Sequence, residues 1–207
     1  MPSTSDDDRD DRESALQERR EDATTAFLRN TPALYRRDIT IHPQAAAWAD
    51  QTDQAPASLF LTGPIGVGKT HTAWQSARHW LGAHITRTGR RPRIETWRST
   101  ALFDALRPDN HDLNVRALTR QLQEADLLYI DDLAAARVSP TGWTQERLYE
   151  IFDERYINRR PCLITCDVLP GATASIVGDR VQSRLREMFR GGVLLLEGAD
   201  RRAGDAA

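Results

Sequence analysis

From residue 58 onward, short apolar runs alternate with longer amphipathic stretches. The runs 58–63 (SLFLTG), 93–97 (RIETW), 126–131 (DLLYID), 161–166 (PCLITC) and 193–198 (VLLLEG) have strand length and are bounded by polar or turn residues; they read as strands, most of them buried. Between them, helical patterns cover 69 to about 83, 100–106, 114–124, 144–158 and 179–189. In 114–124 the positions Val115, Leu118 and Leu122 share one face; in 144–158 Leu148, Ile151 and Phe152 form the apolar stripe. Strands alternating with helices predict an α/β fold, a five-stranded parallel sheet with helices on both faces. Ahead of this core, 44–49 reads as a short helix, and 15–29 as a helix that stops near Thr31-Pro32. The division expected is an N-terminal segment, 1–30, and a single domain, 31–207.

Composition adds an asymmetry. Hydrophobic residues make up 40 % and charged residues 28 %, ordinary for a soluble domain. Residues 1–22 hold nine acids and four arginines, so the net −2 of the whole chain conceals −5 in this segment and +3 in the rest. The acidic residues 1–14 are expected to be disordered. The mildly basic body permits nucleic-acid binding without arguing for it. No apolar run approaches a membrane span, and the acidic N-terminus does not resemble a secretory signal, so a cytoplasmic location and no membrane partner are expected. Cys162 and Cys166 lie in an apolar stretch with no metal-ligand cluster beside them and read as buried, reduced thiols. Of 28 lysines and arginines, Lys69 alone is lysine.

That lysine falls in the chain's most specific motif. Gly63, Pro64, Ile65, Gly66, Val67, Gly68, Lys69 and Thr70 fit G-x-x-x-x-G-K-T in full, between an expected strand and an expected helix. Glycines let such a loop turn its N–H groups toward phosphate oxygens, and the helix N-terminus adds positive potential. Lys69 is expected at the β- and γ-phosphates of ATP, and the Thr70 hydroxyl on Mg²⁺. The strand 127–131 ends in Asp131 and Asp132, at the end of the sheet where α/β folds bind ligands. Asp131 is the expected partner of Mg²⁺, and Asp132 the group that polarises the attacking water.

With these motifs in order, the sequence resembles the AAA+ ATPases, and among them the DnaC/IstB-like group of helicase loaders, over about residues 33–202. The stretches that carry the resemblance are TGPIGVGKTH (62–71), LLYIDDL (127–133), RLYEIFDERYINRRPCLITCDV (147–168), GDRVQSRL (178–185) and LLLEGADRR (194–202). The resemblance implies that Asp167 stands at the first sensor, where asparagine is usual. It implies that Arg184, one turn beyond Arg180, is an arginine finger acting on ATP held by a neighbouring subunit. It also implies that Arg202, or Arg201, returns toward the phosphates, and it brings His71 into the nucleotide-binding stretch. It further implies an ATPase that is slow unless assembled, a ring or spiral homo-oligomer, and a core without the C-terminal lid domain. Its partners would be single-stranded DNA and a replicative hexameric helicase.

Two departures qualify this: Asp132 where glutamate is frequent, and Asp167, whose charge would repel a γ-phosphate. Two other functions remain open, an IstB-like transposase helper and a non-hydrolysing, ATP-gated DNA-binding adaptor. Two basic clusters, Arg87, Arg90, Arg91 and Arg93, and Arg155, Arg159 and Arg160, could grip a DNA backbone or simply be solvated. Trp97 and Trp143 could stack on bases or belong to the core.

Overall fold

The computed structural model describes residues 4–50, 57–107, 114–135 and 142–200. Strands β1 (Leu59–Thr62), β2 (Ile94–Arg98), β3 (Leu127–Asp131), β4 (Cys162–Cys166) and β5 (Val193–Leu195) form one sheet in the order β2-β3-β4-β1-β5. Every neighbouring pair is parallel. β1 and β4 lie in the interior of the sheet and are buried at every position, which accounts for their unbroken apolar runs. β2 is an edge strand, only half-buried, and tolerates Glu95 and Arg98.

Alternation along the strands splits the core in two. Phe60, Leu128, Ile130, Cys162 and Ile164 face one side, with Leu102, Leu118, Leu122, Leu148 and Leu185 packed on them. Those residues come from α4 (Ser99–Ala105), α5 (Val115–Glu124), α6 (Trp143–Ile157) and α8 (Asp179–Met188). A single turn of helix, α7 (Ala174–Val177), precedes α8. Leu59, Leu61, Leu127, Tyr129 and Leu163 face the other side, against α3 (Lys69–Thr88), α2 (Pro43–Ala49) and α1 (Thr4–Asn30). Helices therefore cover both faces, as the strand–helix alternation predicts.

Local chemistry sets the helix ends. The Asn114 side chain accepts from the Ala117 N–H at 3.0 Å and starts α5. α3 runs past 83 to Thr88 and stops at Gly89, whose φ of 69° closes the helix in the left-handed region. The largest departure is α1. Residues 4–14, expected to be disordered, are helical, and the helix starts at Thr4 rather than 15. Its first turns are acidic, and the helix dipole favours acids there. Its far end is anchored: Ala23 and Phe27 are buried, with the Phe27 ring 5.6 Å from that of Trp74 on α3. The low hydrophobicity that argued for disorder does not forbid a helix held by its last turns. No helix among the described residues is long and apolar enough to cross a membrane.

Candidate functional site

The loop 63–70 connects β1 to α3, as the motif requires. Gly63, Gly66 and Gly68 have φ of 141°, 80° and 101°, conformations that residues with a β-carbon rarely adopt. At Gly63 the space is closed as well: a β-carbon there would overlap the Leu196 carbonyl. Lys69 opens α3, where the partial positive charge of a 20-residue helix gathers. Its ammonium donates to the carbonyls of Gly63 at 2.8 Å and Pro64 at 2.9 Å. It also lies 2.7 Å from Asp167 Oδ1.

One residue further, the Thr70 hydroxyl donates to Asp131 Oδ1 at 2.9 Å, joining the loop to the end of β3. Two more hydroxyls donate to the same oxygen, Tyr129 at 2.9 Å and Thr165 at 2.8 Å. Thr165 also accepts from the Asp132 N–H at 2.7 Å, and the Asp132 carbonyl accepts from Ser99 Oγ at 2.5 Å. Asp132 is thereby held at φ 53°, left-handed for a residue with a side chain, at a cost of about 1 kcal/mol. Burial first, and then the Asp131 carboxylate, push the Tyr129 phenol well above its ordinary range, so it stays a donor.

Thr165 and Tyr129 were not among the expected site residues. A polar residue inside each of two buried apolar strands is the signal that marks them. Tyr129→Phe is expected to fold normally and to weaken Mg²⁺-dependent nucleotide affinity about three- to tenfold, because one donor to a charged acceptor is lost. Titrations with and without Mg²⁺ check this; an unchanged Mg²⁺ dependence would reduce the phenol to a packing group.

The donor set fits Mg²⁺. A hydroxyl and a carboxylate are hard oxygen ligands, and Mg²⁺ is typically held by one or two carboxylates with phosphate and water completing the shell. Among the described residues no group of three or more His, Cys, Asp or Glu stands ready to hold a metal alone. A cleft of about 490 Å³ opens beside the loop, lined by Gly63, Pro64, Ile65, Asp167, Leu169 and Leu195, within the range of ligand pockets. A larger groove of about 890 Å³ between α1 and α3 contains none of the site residues.

The other expected residues are spread more widely. His71 Nε2 lies 2.7 Å from the Arg37 carbonyl, and its ring meets Tyr35 edge-on at 5.8 Å, so it ties the segment before β1 to α3. Val67 is buried, while Ile65 is exposed at the tip of the loop. Arg184 is held on the α6 side. It donates to Asp153 at 2.6 Å and Glu187 at 3.1 Å and lies 5.1 Å from the Tyr156 ring. Arg180 covers Tyr149 at 4.1 Å. Arg201 and Arg202 lie outside the described residues.

Of the basic clusters, the second is corrected. Arg155 is fully buried and donates to four main-chain carbonyls, so it cannot meet DNA. Arg160 likewise donates to the Gln123 carbonyl at 2.6 Å. In the first cluster Arg90 is engaged by Asp126 at 2.5 Å, and Arg93 by Glu124 at 3.5 Å. Trp97 packs partly buried against the core, whereas Trp143 is exposed beneath Arg147. Cys162 and Cys166 are buried and free, as expected; burial pushes both thiols up.

The chromosomal replication initiator protein DnaA of Deinococcus deserti is 28 % identical over 158 residues, covering 74 % of this chain and 31 % of that protein. The chain spans 29 % to 51 % of the length of the first curated relatives it matches. A solved replication initiator DnaA bound to AMPPCP and single-stranded DNA superposes with a TM-score of 0.57 at 19 % identity, covering 75 % of this chain and 45 % of that one. The crystal structure of the DnaC helicase loader gives 0.56 at 23 % identity, covering 74 % and 86 %. At such identities the structures establish the fold alone, an AAA+ domain. Residues 38–194 match the family model of the bacterial DnaA ATPase domain, and the chain belongs to that family.

Proposed function

We propose that the chain is an ATP- and Mg²⁺-binding helicase loader. In this reading it delivers a replicative hexameric helicase to single-stranded DNA during replication initiation, in the cytoplasm. The bond between Thr70 and Asp131 supports the nucleotide part of this reading, because it holds together, beside the phosphate loop, a hydroxyl and a carboxylate of the kind that Mg²⁺ takes as ligands. The wider part draws on the shared fold with the DnaC loader and on the DnaA that holds AMPPCP and single-stranded DNA.

Bound ATP with Mg²⁺ supplies the transferable phosphoryl group and the charge that subunits can share. Lys69 binds the phosphate chain, and the loop glycines let the backbone close around it. Thr70 and Asp131 orient the metal, with Tyr129 and Thr165 fixing the carboxylate. Asp132 would polarise the attacking water, its carboxylate accepting a hydrogen bond from it. Arg184 reaches a neighbouring subunit's nucleotide in a ring or spiral, which requires it to leave Asp153 and Glu187. Hydrolysis is therefore slow in an isolated subunit. Arg202 is assigned to the phosphates on the family resemblance alone.

ATP turnover with and without single-stranded DNA, beside Arg184→Ala, tests this reading. Stimulation by DNA that the variant loses supports it; turnover equal in both, with or without DNA, removes the finger and the assembly. Co-purification with a hexameric helicase, rather than with a transposase, decides between the loader and a transposase helper.

A further inference from the structure

The end of β3 is held from both sides. β2 and β4 flank it in the sheet, and the register sets Arg98 beside Asp131 and Ile164 beside Ile130. The residues just past these pairs, Ser99 and Thr165, therefore flank the turn at Asp132. Thr165 Oγ1 accepts from the Asp132 N–H at 2.7 Å, and the Ser99 hydroxyl donates to the Asp132 carbonyl at 2.5 Å. Both residues are buried. The same carbonyl accepts from the Ala135 N–H at 3.0 Å, a bond inside the turn itself. Ser99 is the first residue of α4, a helix with no side-chain cap at its N-terminus, and its hydroxyl is turned to the neighbouring strand instead.

The two grips differ in what they touch. Thr165 also donates to Asp131 Oδ1, so it serves the metal carboxylate as well. Among the described residues the Ser99 hydroxyl bonds Asp132 alone. In an extended strand the side chain after Asp131 would point to the opposite face of the sheet; at φ 53° Asp132 breaks that alternation. The main-chain conformation fixes the direction of the Cα–Cβ bond, and so the region its carboxylate can reach. A left-handed turn is disfavoured for a residue with a β-carbon and persists only where the surroundings impose it. One hydrogen bond is of the same order as the strain it resists. We infer that Ser99 is a positioning residue for hydrolysis, on the reading of Asp132 as the acid that polarises the attacking water: it holds the Asp132 main chain in the turn from which the carboxylate meets that water. Without the hydroxyl the turn is free to relax toward extended backbone. A carboxylate displaced by about 1 Å loses on the order of a hundredfold in rate, while the loop, Thr70 and Asp131 still hold nucleotide and metal.

The test measures ATP turnover with Mg²⁺ and single-stranded DNA, beside affinity for the β,γ-methylene analogue of ATP. It uses the full chain as wild type, Ser99→Ala, Ser99→Cys, Asp132→Asn and the double variant of Ser99→Ala with Asp132→Asn. Ser99→Ala is expected to lower kcat at least about tenfold while affinity for the analogue moves by less than about threefold. Ser99→Cys, close in size and a weak donor, is expected to fall between alanine and wild type. Once Asp132→Asn has removed the carboxylate, Ser99→Ala is expected to cost nothing further, because the serine acts only through it. A purely structural role would move affinity together with turnover, and its cost would add in the double variant. Turnover of Ser99→Ala within about twofold of wild type, or losses that add, with Asp132→Asn slow, overturns the positioning role and leaves Asp132 as the acid. Asp132→Asn at the wild-type rate overturns the reading of Asp132, and the role of Ser99 with it. A wild-type chain that turns over no ATP overturns both.

Discussion

Alanine at Lys69 is expected to weaken binding of both ADP and ATP at least about a hundredfold. Truncating one member of a hydrogen-bonded charge pair costs about 2–5 kcal/mol, and each 1.4 kcal/mol is tenfold in affinity. The loss here has two parts. The phosphates lose their cation, and Asp167 loses the ammonium 2.7 Å away that offsets its charge. Removing Asp167 as well, in Lys69→Ala with Asp167→Asn, is expected to restore part of the lost ATP affinity, a coupling that a double-mutant cycle reads directly. Lys69→Arg is not expected to rescue. A planar guanidinium is bulkier than an ammonium and cannot place three donors toward Gly63 O, Pro64 O and a phosphate at once. The chain uses arginine at every other basic position, so the substitution suits its habits everywhere but there. Calorimetric titration settles the matter: nucleotide binding by the alanine variant within about threefold of wild type would place the site elsewhere.

What the sequence made legible was whatever is written locally. The five strands stood out because each is a short apolar run closed by polar residues, and the loop 63–70 because its glycines, lysine and threonine are consecutive. The order β2-β3-β4-β1-β5 was not legible, since apolar runs carry no label for their neighbours. The contacts that complete the site depend on that order. Thr165 reaches Asp131 only because β4 lies beside β3, and Asp167 reaches Lys69 only because β4 also lies beside β1. An aspartate at 167 was visible as an unwelcome charge, but the partner that makes it tolerable lies 98 positions earlier in the chain. The acidic start of α1 is the opposite case: composition reports what a segment can bury, and Ala23 and Phe27 anchor a helix whose residues 10–15 are exposed.

Arg155 shows the same limit, and its replacement is expected to be the most destabilising change outside the nucleotide site. By sequence it belongs with Arg159 and Arg160 as a basic cluster; in the fold its side chain is fully buried. Nη1 donates to the carbonyls of Leu122 at 2.6 Å and Ala125 at 2.9 Å, at the C-terminal end of α5, and Nη2 to Pro161 at 2.5 Å, just ahead of β4. Nε meets Cys162 Sγ at 3.2 Å. The end of a helix leaves carbonyls unpaired and gathers partial negative charge, so a buried cation there closes α5, α6 and β4 together. Arg155→Ala strands those carbonyls in a cavity, at a cost of roughly 3–5 kcal/mol. Arg155→Lys keeps the charge but not the fork, and is expected to recover less than half of the loss. Thermal and urea unfolding of the three chains would show it. If the alanine variant unfolded within about 1 kcal/mol of wild type, water would have to satisfy the end of α5 as well as the guanidinium does.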